Sequence, residues 1–232
     1  MPHLRIARPL LYGGLGALVC LGYVVATGSV PKRVTARDLK AITFLQADEA
    51  CSRLNAFEGQ LHCVTTVQHA VQASVANRHC AKHGERIEPL DFLQRGYGCC
   101  FDRSRFIEKA LEHYGLKTRH AFLFDTSEHG LLSVIIPRSP SHAASEVHTS
   151  RGWMGVDSDY PFILITHDRR PLTFDDLSDV APEMLTHAPV PRPFFSHPLL
   201  VTYGLYSRHG RFYGPKLPAP EINYPDLLRY NF

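Results

Sequence analysis

The pattern of apolar and polar positions divides the chain into an uncharged N-terminal stretch and a longer part in which apolar, polar and charged residues alternate. Residues 9–30 contain no charged side chain and consist mostly of small and aliphatic residues. As a helix, roughly 22 residues span about 33 Å, which matches the hydrocarbon core of a bilayer. Small residues at 26–28 also fit a signal-peptidase site. We therefore predict a membrane anchor or signal segment over residues 1–33 and one globular domain over 34–232.

The strongest helical pattern of the domain begins at a cysteine. After Cys100, apolar side chains recur with the spacing of one helix face, at Phe106, Ile107, Ala110, Leu111 and Tyr114. Gly115 follows, where a left-handed C-terminal cap is usual. The pattern predicts a helix over 100–114 with Cys100 in its first turn, and a strand over 116–124 after it.

Shorter patterns predict the other elements of the domain. Helical periodicity indicates three more helices, at 34–45, 47–54 and 64–77. Apolar runs indicate two buried strands, at 131–137 and 160–166. A hairpin is predicted from two further strands, 142–147 and 153–157, with its turn at 148–152.

Composition and charge restrict the functions open to this domain. The chain has 232 residues, of which 44% are hydrophobic and 20% charged, values that are ordinary for an ordered globular protein. Its net charge of +3 is small, and the sequence has no stripe of Lys and Arg with interleaved aromatic residues. We therefore expect no nucleic-acid partner.

The position of Cys100 raises the question of thiolate chemistry. An ordinary cysteine thiol has a pKa near ~8.5, so only about 3% is thiolate at pH 7. Lowering a thiol pKa to about 6 takes roughly 3.4 kcal/mol, whereas a helix N-terminus supplies about 0.3–1 kcal/mol and at best ~2. A reactive thiolate therefore needs a cationic partner, for which an imidazolium held by an acid is the usual choice.

The predicted hairpin supplies such a pair. Its two strands place His142 and Asp157 side by side near one end. His148 is the nearest rival histidine, but it falls in the predicted turn. Asp159 is the rival acid, although the hydrophobic frame before Asp157 favours the earlier residue.

Two residues before Cys100 complete the set of candidates. Gln94 lies six residues earlier, where its amide could form an oxyanion hole with the Cys100 backbone N–H. A solvent-exposed glutamine is the alternative. Cys99 is the rival nucleophile, but moving the frame by one residue misplaces the acid and the glycine that follow Cys100.

Three motifs in this order resemble the transglutaminase-like superfamily of thiol enzymes, which includes transglutaminases and related cysteine peptidases and amidases. The family's cysteine motif continues with residues at fixed steps after the nucleophile, matched here by Asp102, Ser104, Gly115, Leu116 and Arg119. Its His-Ala-x-x-Glu-Val motif is matched by residues 142–147, and its Gly-Trp-x-x-hydrophobic-Asp motif by 152–157. The match covers about residues 87–159. The sequence departs from the family at two positions. A second cysteine, Cys99, stands just before the nucleophile, and Ala144 stands where the family frequently has an aromatic residue.

The resemblance implies an α+β, papain/transglutaminase-like fold in which helices pack on an antiparallel sheet and the nucleophile stands at a helix N-terminus. It implies that Cys100, His142 and Asp157 form a triad that attacks peptide or carboxamide bonds of a protein or peptide substrate through a thioester, without a cofactor. Hydrolysis and acyl transfer both remain open. Two alternatives are an arylamine acetyltransferase, whose frame requires Cys99, and a catalytically degenerate scaffold domain of the cell envelope.

Four other cysteines belong to the domain, namely Cys51, Cys63, Cys80 and Cys99. In an exported domain they can form two disulfides, with three possible connectivities, or some can remain as small buried residues. A zinc site is a further alternative, because Cys80 and His83 are spaced like ligands. No second clean pair faces them, so we predict no metal.

Charges on either side of the apolar stretch bear on the location of the domain. Arg5 and Arg8 precede the stretch, and Lys32, Arg33 and Arg37 follow it, so the flanking charges are nearly balanced. The short basic tail nevertheless resembles the start of an export signal. We expect a single-pass membrane protein with an exported C-terminal domain, periplasmic or extracellular, or a secreted protein if the segment is cleaved.

Overall fold

The computed structural model describes part of the chain, at residues 29–82, 85–136, 139–180, 184–186, 193–206 and 221–232, with five further positions between 14 and 22. Most of the predicted membrane segment, 9–30, therefore lies outside the described residues. Within the part that is described, no helix combines the length and the apolar character that crossing a membrane requires.

The described chain folds as an α+β domain, which confirms the predicted fold class. Its helices are α1 (Ala36–Phe44), α2 (Phe57–Ser74), α3 (Pro89–Arg95), α4 (Cys100–His113) and α5 (Tyr224–Asn231). Its strands are β1 (Ala76–Asn77), β2 (Tyr97–Gly98), β3 (Thr118–Asp125), β4 (Ser141–Thr149), β5 (Gly152–Val156), β6 (Leu199–Tyr203), β7 (Leu205–Tyr206) and β8 (Glu221–Ile222). Helix α4 packs on both α2 and strands β3 and β4, so it joins the helical and sheet layers.

A four-stranded antiparallel sheet carries half of the candidate site. Its strand order is β5-β4-β3-β6, so sequence neighbours β3, β4 and β5 are also neighbours in space. Thr149 pairs with Gly152, which leaves two residues in the hairpin turn. Gly152 has a φ of 122°, a conformation that glycine adopts without strain. The turn is therefore tighter than predicted, and His148 lies in β4 opposite Trp153 rather than in the turn.

Helix α4 is capped at both ends, which explains why its predicted boundaries hold. At the N-terminus, the Asp102 carboxylate accepts a hydrogen bond from the Cys99 backbone N–H at 3.1 Å, one half of a capping box. After the C-terminus, Gly115 takes a left-handed φ of 90°. Charged side chains on the buried part of this helix have ion-pair partners: Asp102 with Arg95, Arg103 with Asp159, Arg105 with Glu88, and Lys109 with Asp38.

An apolar core between α2, α4 and the sheet holds the helix in place. The predicted apolar face of α4 supplies part of this core, and its members Phe106, Ile107, Ala110 and Leu111 are 0% exposed. Further members come from α2, β4 and β5, among them Val64, Val67, Val71, Val147, Met154 and Val156. Burial of one such large side chain contributes about 1.5–3 kcal/mol. Packing of this face therefore stabilises α4 more than its helix propensity does.

The described residues form two disulfides, Cys51–Cys63 and Cys80–Cys99. This pairing selects one of the three connectivities that the sequence left open. Among the described residues, Cys100 is the cysteine that keeps a free thiol. The second disulfide reaches the residue immediately before that thiol, so it ties the loop around Cys80 to the start of α4.

Two strands predicted within the described residues are not formed. Residues 131–136 include a 3₁₀ turn, and three apolar side chains there are more than half exposed, namely Leu131, Leu132 and Ile135. Both sides of β3 are already paired, with β4 and with β6, so this run finds no free edge beside β3. Residues 160–166 make isolated bridges rather than a strand, because the chain turns back on itself there.

Candidate active site

The candidate nucleophile, Cys100, stands at the first position of α4. The residue before it, Cys99, is held by the disulfide to Cys80 and by the Asp102 cap. Arg95 donates to the other oxygen of Asp102 at 2.8 Å. The backbone that carries the thiol is therefore fixed by a covalent bond, a cap and an ion pair.

The loop before α4 is packed too closely for a residue larger than glycine at position 98. A Cβ at Gly98 would lie 2.3 Å from an atom of the Phe92 ring and 3.1 Å from the Asp102 Cβ. The Gly98 carbonyl also accepts a hydrogen bond from the Arg78 N–H at 3.1 Å, beside the parallel pairing of β1 with β2. This close approach sets the path by which the chain enters α4.

The histidine and the acid of the predicted triad meet at the end of the hairpin. His142 lies in β4 opposite Leu123 and is 1% exposed, and its Nε2 is 2.7 Å from Asp157 Oδ2. Asp157 follows β5 directly. Its other oxygen accepts from the backbone N–H groups of Asp159 and Tyr160, each at 2.7 Å. The acid is thus oriented by its own turn, with one oxygen left for the imidazole.

The thiol lies beside this pair. The Cys100 sulfur, a ring nitrogen of His142 and a carboxylate oxygen of Asp159 all lie within 4.8 Å of one another. Because Nε2 of His142 is bonded to Asp157, Nδ1 is the nitrogen left for the thiol. Burial disfavours the charged ring, but the Asp157 carboxylate and Cys100 outweigh burial and raise the pKa of His142 to about 10. This direction favours the cationic ring that a thiolate partner would need.

Two glutamines of α2 hold the turn that carries the acid, and sequence analysis missed both. The buried Gln68 amide donates to the carbonyl oxygens of Asp157 and Phe162, at 2.8 and 2.7 Å. Gln72, one helical turn later, donates to the Tyr160 carbonyl at 2.9 Å. The available signal was the i, i+4 spacing of two amides beside an apolar helix face. We call this contact the glutamine clasp.

Two phenylalanines pack against the histidine ring from the C-terminal half of the chain. The ring centroids of Phe194 and Phe195 lie 6.0 and 5.9 Å from that of His142. Phe195 also packs edge-on against Phe162, near the turn that carries the acid. These half-buried rings form an apolar wall that limits contact of the imidazole with water. No local pattern in the sequence marks these two residues as part of a site.

The arginine and the glutamate of the sequence motifs bind each other. Arg119 in β3 and Glu146 in β4 are paired in register, and the guanidinium donates twice to Glu146 Oε2, at 2.8 and 2.6 Å. Its central carbon lies 3.8 Å from the centroid of the Tyr203 ring and 4.4 Å from that of Trp153. These motif residues therefore link neighbouring strands and support the sheet that carries His142.

The rival residues lie in other surroundings. Cys99 is bonded to Cys80, so it cannot supply the free thiol that the acetyltransferase alternative requires. The same bond removes the Cys80 thiolate from the zinc alternative, and His83 lies outside the described residues. His148 packs edge-on against Trp153.

The structure separates the interpretations left open for Gln94 and Asp159. Gln94 is exposed on α3, and within the described chain no hydrogen bond joins it to Cys100, so its oxyanion role stays a prediction. Asp159, considered as an alternative to Asp157, lies beside the thiol as well. Arg103 of α4 contacts its Oδ1 at 3.3 Å. Both acids therefore belong to the candidate site, Asp157 bonded to the imidazole and Asp159 near the thiol.

Two solved structures match this chain. One is a candidate cysteine protease from Cytophaga hutchinsonii, at 12% identity and a TM-score of 0.35, over 57% of this chain and 46% of that chain. The other is a TGase, at 14% identity and a TM-score of 0.39, over 70% of this chain and 41% of that chain. This chain thus covers less than half of either matched structure.

No family model and no curated protein matches the chain. At TM-scores of 0.35 and 0.39, neither structural match decides the activity, and the geometry of the site carries that inference.

Proposed function

We propose that this chain is a transglutaminase-like thiol enzyme that cleaves or transfers peptide or carboxamide acyl groups through Cys100, His142 and Asp157. One observation supports this above the others. A free thiol at the start of a helix meets the buried imidazole–carboxylate pair of a later hairpin, with the ring 2.7 Å from the acid and within 4.8 Å of the sulfur.

The proposed reaction starts from the paired thiolate and imidazolium. The Cys100 sulfur attacks the carbonyl carbon, and His142 gives its proton to the leaving amine as the carbon–nitrogen bond breaks. The acyl group is then held as a thioester. Water that loses a proton to the neutral ring attacks the thioester, which releases the acid and restores the thiolate and the imidazolium. An amine in place of water gives a new amide, so hydrolysis and transfer use the same groups.

The start of α4 provides stabilisation for the oxyanion that forms during attack. The first four backbone N–H groups of a helix lack intrahelical acceptors, and that of Cys100 is among them. One such donor changes rates by about 10²- to 10³-fold in other acyl-transfer enzymes. Gln94 is the proposed second donor, and its exposed side chain on α3 would have to turn toward the thiol.

We further propose that the domain works outside the cytoplasm, either anchored by residues 1–33 or released from them. The disulfides Cys51–Cys63 and Cys80–Cys99 support this, because such bonds persist in oxidising compartments. Protease added to intact spheroplasts should then digest the domain. Protection of the domain until the membrane is lysed would contradict the proposal.

Alkylation at acid pH tests the nucleophile directly. A thiolate paired with an imidazolium reacts with iodoacetamide at pH 6, whereas an ordinary thiol is almost fully protonated there. We expect Cys100→Ala to abolish this labelling and also the release of amine from a peptide or amide substrate. Persistent labelling of an equally reactive site in the variant would refute the assignment.

A further inference from the structure

The thiol is surrounded by more ligating groups than the proposed acyl transfer needs. Asp159 takes no step in that reaction, yet its carboxylate lies within 4.8 Å of both the Cys100 sulfur and a His142 nitrogen. Its side chain is 7% exposed. Arg103 pairs with this carboxylate. A carboxylate beside a thiolate nevertheless repels the charge that the nucleophile carries, so Asp159 does not activate the thiol.

We propose that Cys100, His142 and Asp159 form an inhibitory zinc site. The metal binds the nucleophilic sulfur and so blocks the enzyme reversibly. This inference rests on the proposed function, because it concerns regulation of the same thiol. The zinc ion here is an inhibitor and supplies no chemistry to the acyl transfer.

The donor set matches zinc in type and number. Thiolate, imidazole and carboxylate are its usual ligands, and three protein ligands leave a fourth position for water. Zinc–ligand bonds of about 2.0–2.3 Å separate neighbouring tetrahedral ligands by about 3.5 Å. The ligand atoms lie within 4.8 Å of one another, so closing on a metal requires side-chain movements of roughly 1 Å. Calcium and magnesium prefer sets made of oxygen alone, which excludes them as good occupants.

The groups behind these ligands are arranged as in zinc sites. A zinc-bound histidine usually donates its other ring N–H to a carboxylate, and Asp157 already lies 2.7 Å from Nε2 of His142. Ligating carboxylates are usually hydrogen-bonded as well, and Arg103 contacts Asp159 Oδ1 at 3.3 Å. The Asp159 backbone is held by its N–H bond to Asp157 Oδ1. Asp157, which orients the His142 ring for catalysis, would thus also orient it toward a metal.

Binding changes the charges of the site in a balanced way. The imidazolium of His142 releases one proton to solvent, so that Nδ1 can donate its electron pair to zinc. The Cys100 thiolate and the Asp159 carboxylate together neutralise the two positive charges of the metal. Bound zinc removes the sulfur electron pair from attack and the ring from proton transfer, so it blocks both partners together.

Alkylation of Cys100 in the full chain, with zinc chloride as the probe, tests the site without any substrate. Micromolar zinc should slow alkylation of the wild type by at least about 10-fold, and EDTA should restore the rate, whereas calcium and magnesium should have no effect. Asp159→Asn should weaken this protection by about 10- to 100-fold in zinc concentration. The matched control Asp168→Asn, an acid on an exposed turn, should behave as the wild type.

Zinc affinity measured by competition with a chromophoric chelator gives a second readout. Cys100→Ser and Asp159→Asn should each lower the affinity, and Cys100→Ser keeps the test decisive if Asp159→Asn does not fold. Equal zinc protection in Asp159→Asn and the wild type, or equal affinity in Cys100→Ser, would overturn the site. A protein that hydrolyses amides but ignores zinc would refute this inference alone. A protein that binds zinc at these residues but shows no turnover would refute the proposed function, and with it the inhibitory role of zinc, but not the zinc site.

Discussion

Two buried histidine–carboxylate pairs stand on neighbouring strands of the sheet, and they differ in chemistry although their geometry is alike. His142 in β4 lies 2.7 Å from Asp157, and His120 in β3 lies 2.6 Å from Glu108. The two rings are 1% and 0% exposed. Residue types, contact distances and burial therefore do not tell which pair belongs to an active site.

The second nitrogen of each ring makes the difference. Nδ1 of His142 is available to the Cys100 thiol. In contrast, Nε2 of His120 has no hydrogen-bond partner within the described residues, and its ring stacks on Tyr206 at a centroid distance of 4.0 Å. Tyr206 in turn donates to Glu108 at 2.7 Å, which closes a packed polar network. A buried histidine–acid pair is thus a candidate for catalysis when a nucleophile lies beside the second ring nitrogen.

Substitution of the two histidines should give the largest difference in turnover between the two pairs. His142→Gln removes the proton carrier, so turnover of a peptide or amide substrate should fall by about 10³- to 10⁴-fold. His120→Gln, the matched control, should leave turnover within a few-fold but lower the midpoint of thermal unfolding. Steady-state kinetics and melting curves measure these effects. Equal losses of turnover in two folded variants would contradict the distinction between the pairs.

Replacing the acid of the His142 pair should have a smaller effect. Asp157→Asn keeps an amide oxygen for the turn but removes the charge, so kcat should fall by about 10²- to 10³-fold with KM little changed. The carboxylate helps to raise the pKa of His142 to about 10, so this pKa should fall in the variant. The imidazolium would then be lost at lower pH, which NMR titration of the ring protons can follow. An unchanged ring titration would show that the acid does not stabilise the cation.

Replacing the acid of the His120 pair should affect the fold rather than turnover. Burial alone would raise the pKa of Glu108, but His120, Tyr206 and Arg105 outweigh burial and lower it. Glu108→Gln should therefore reduce the free energy of unfolding by about 3 kcal/mol at neutral pH and leave kcat within a few-fold.

The pH dependence of this loss has a defined sign. Because the pKa of Glu108 is lowered by folding, its carboxylate stabilises the protein above the unfolded pKa of about 4.3. That contribution disappears as the pH falls through the lowered value. Urea unfolding of wild type and Glu108→Gln should therefore converge in acid, and a difference that stays constant down to pH 2 would contradict this account.

Contacts that are local in sequence explain what could be predicted. Helix α4 and the Gly115 cap follow from periodicity and one glycine. The pairing of His142 with Asp157 spans 15 residues and follows from a hairpin. The hairpin turn itself was misjudged, because periodicity does not distinguish a two-residue turn from a longer one, and His148 was placed in the turn as a result.

Contacts between distant segments explain what was missed. Gln68 reaches the Asp157 carbonyl across 89 residues, and the i, i+4 spacing of the two amides does not show which distant turn they contact. The wall formed by Phe194 and Phe195 depends on where a late 3₁₀ turn settles against β4. Cysteine counting limits the disulfides to three connectivities, but choosing between them requires the positions of the chain segments.

The glutamine clasp supports Asp157 in a way that Glu108 does not need. Its removal gives the smallest effect on kcat that we predict for the His142 pair. Glu108 sits on a helix, whereas Asp157 sits on a turn that Gln68 ties to α2. Gln68→Met leaves buried carbonyls unpaired, which should cost about 1–3 kcal/mol of stability. It should also let Asp157 shift, with a loss in kcat of about 10-fold and an unchanged KM.

A second buried glutamine on α2 is the matched control for that variant. Gln60 donates to the Leu54 carbonyl at 2.9 Å and accepts from the Ser150 N–H at 2.8 Å, so Gln60→Met should lose similar stability. Neither of its contacts reaches the acid, and kcat should therefore not change. If both variants lowered kcat equally at matched stability, the clasp would be a general packing contact, and Asp157 would owe its orientation to its own turn alone.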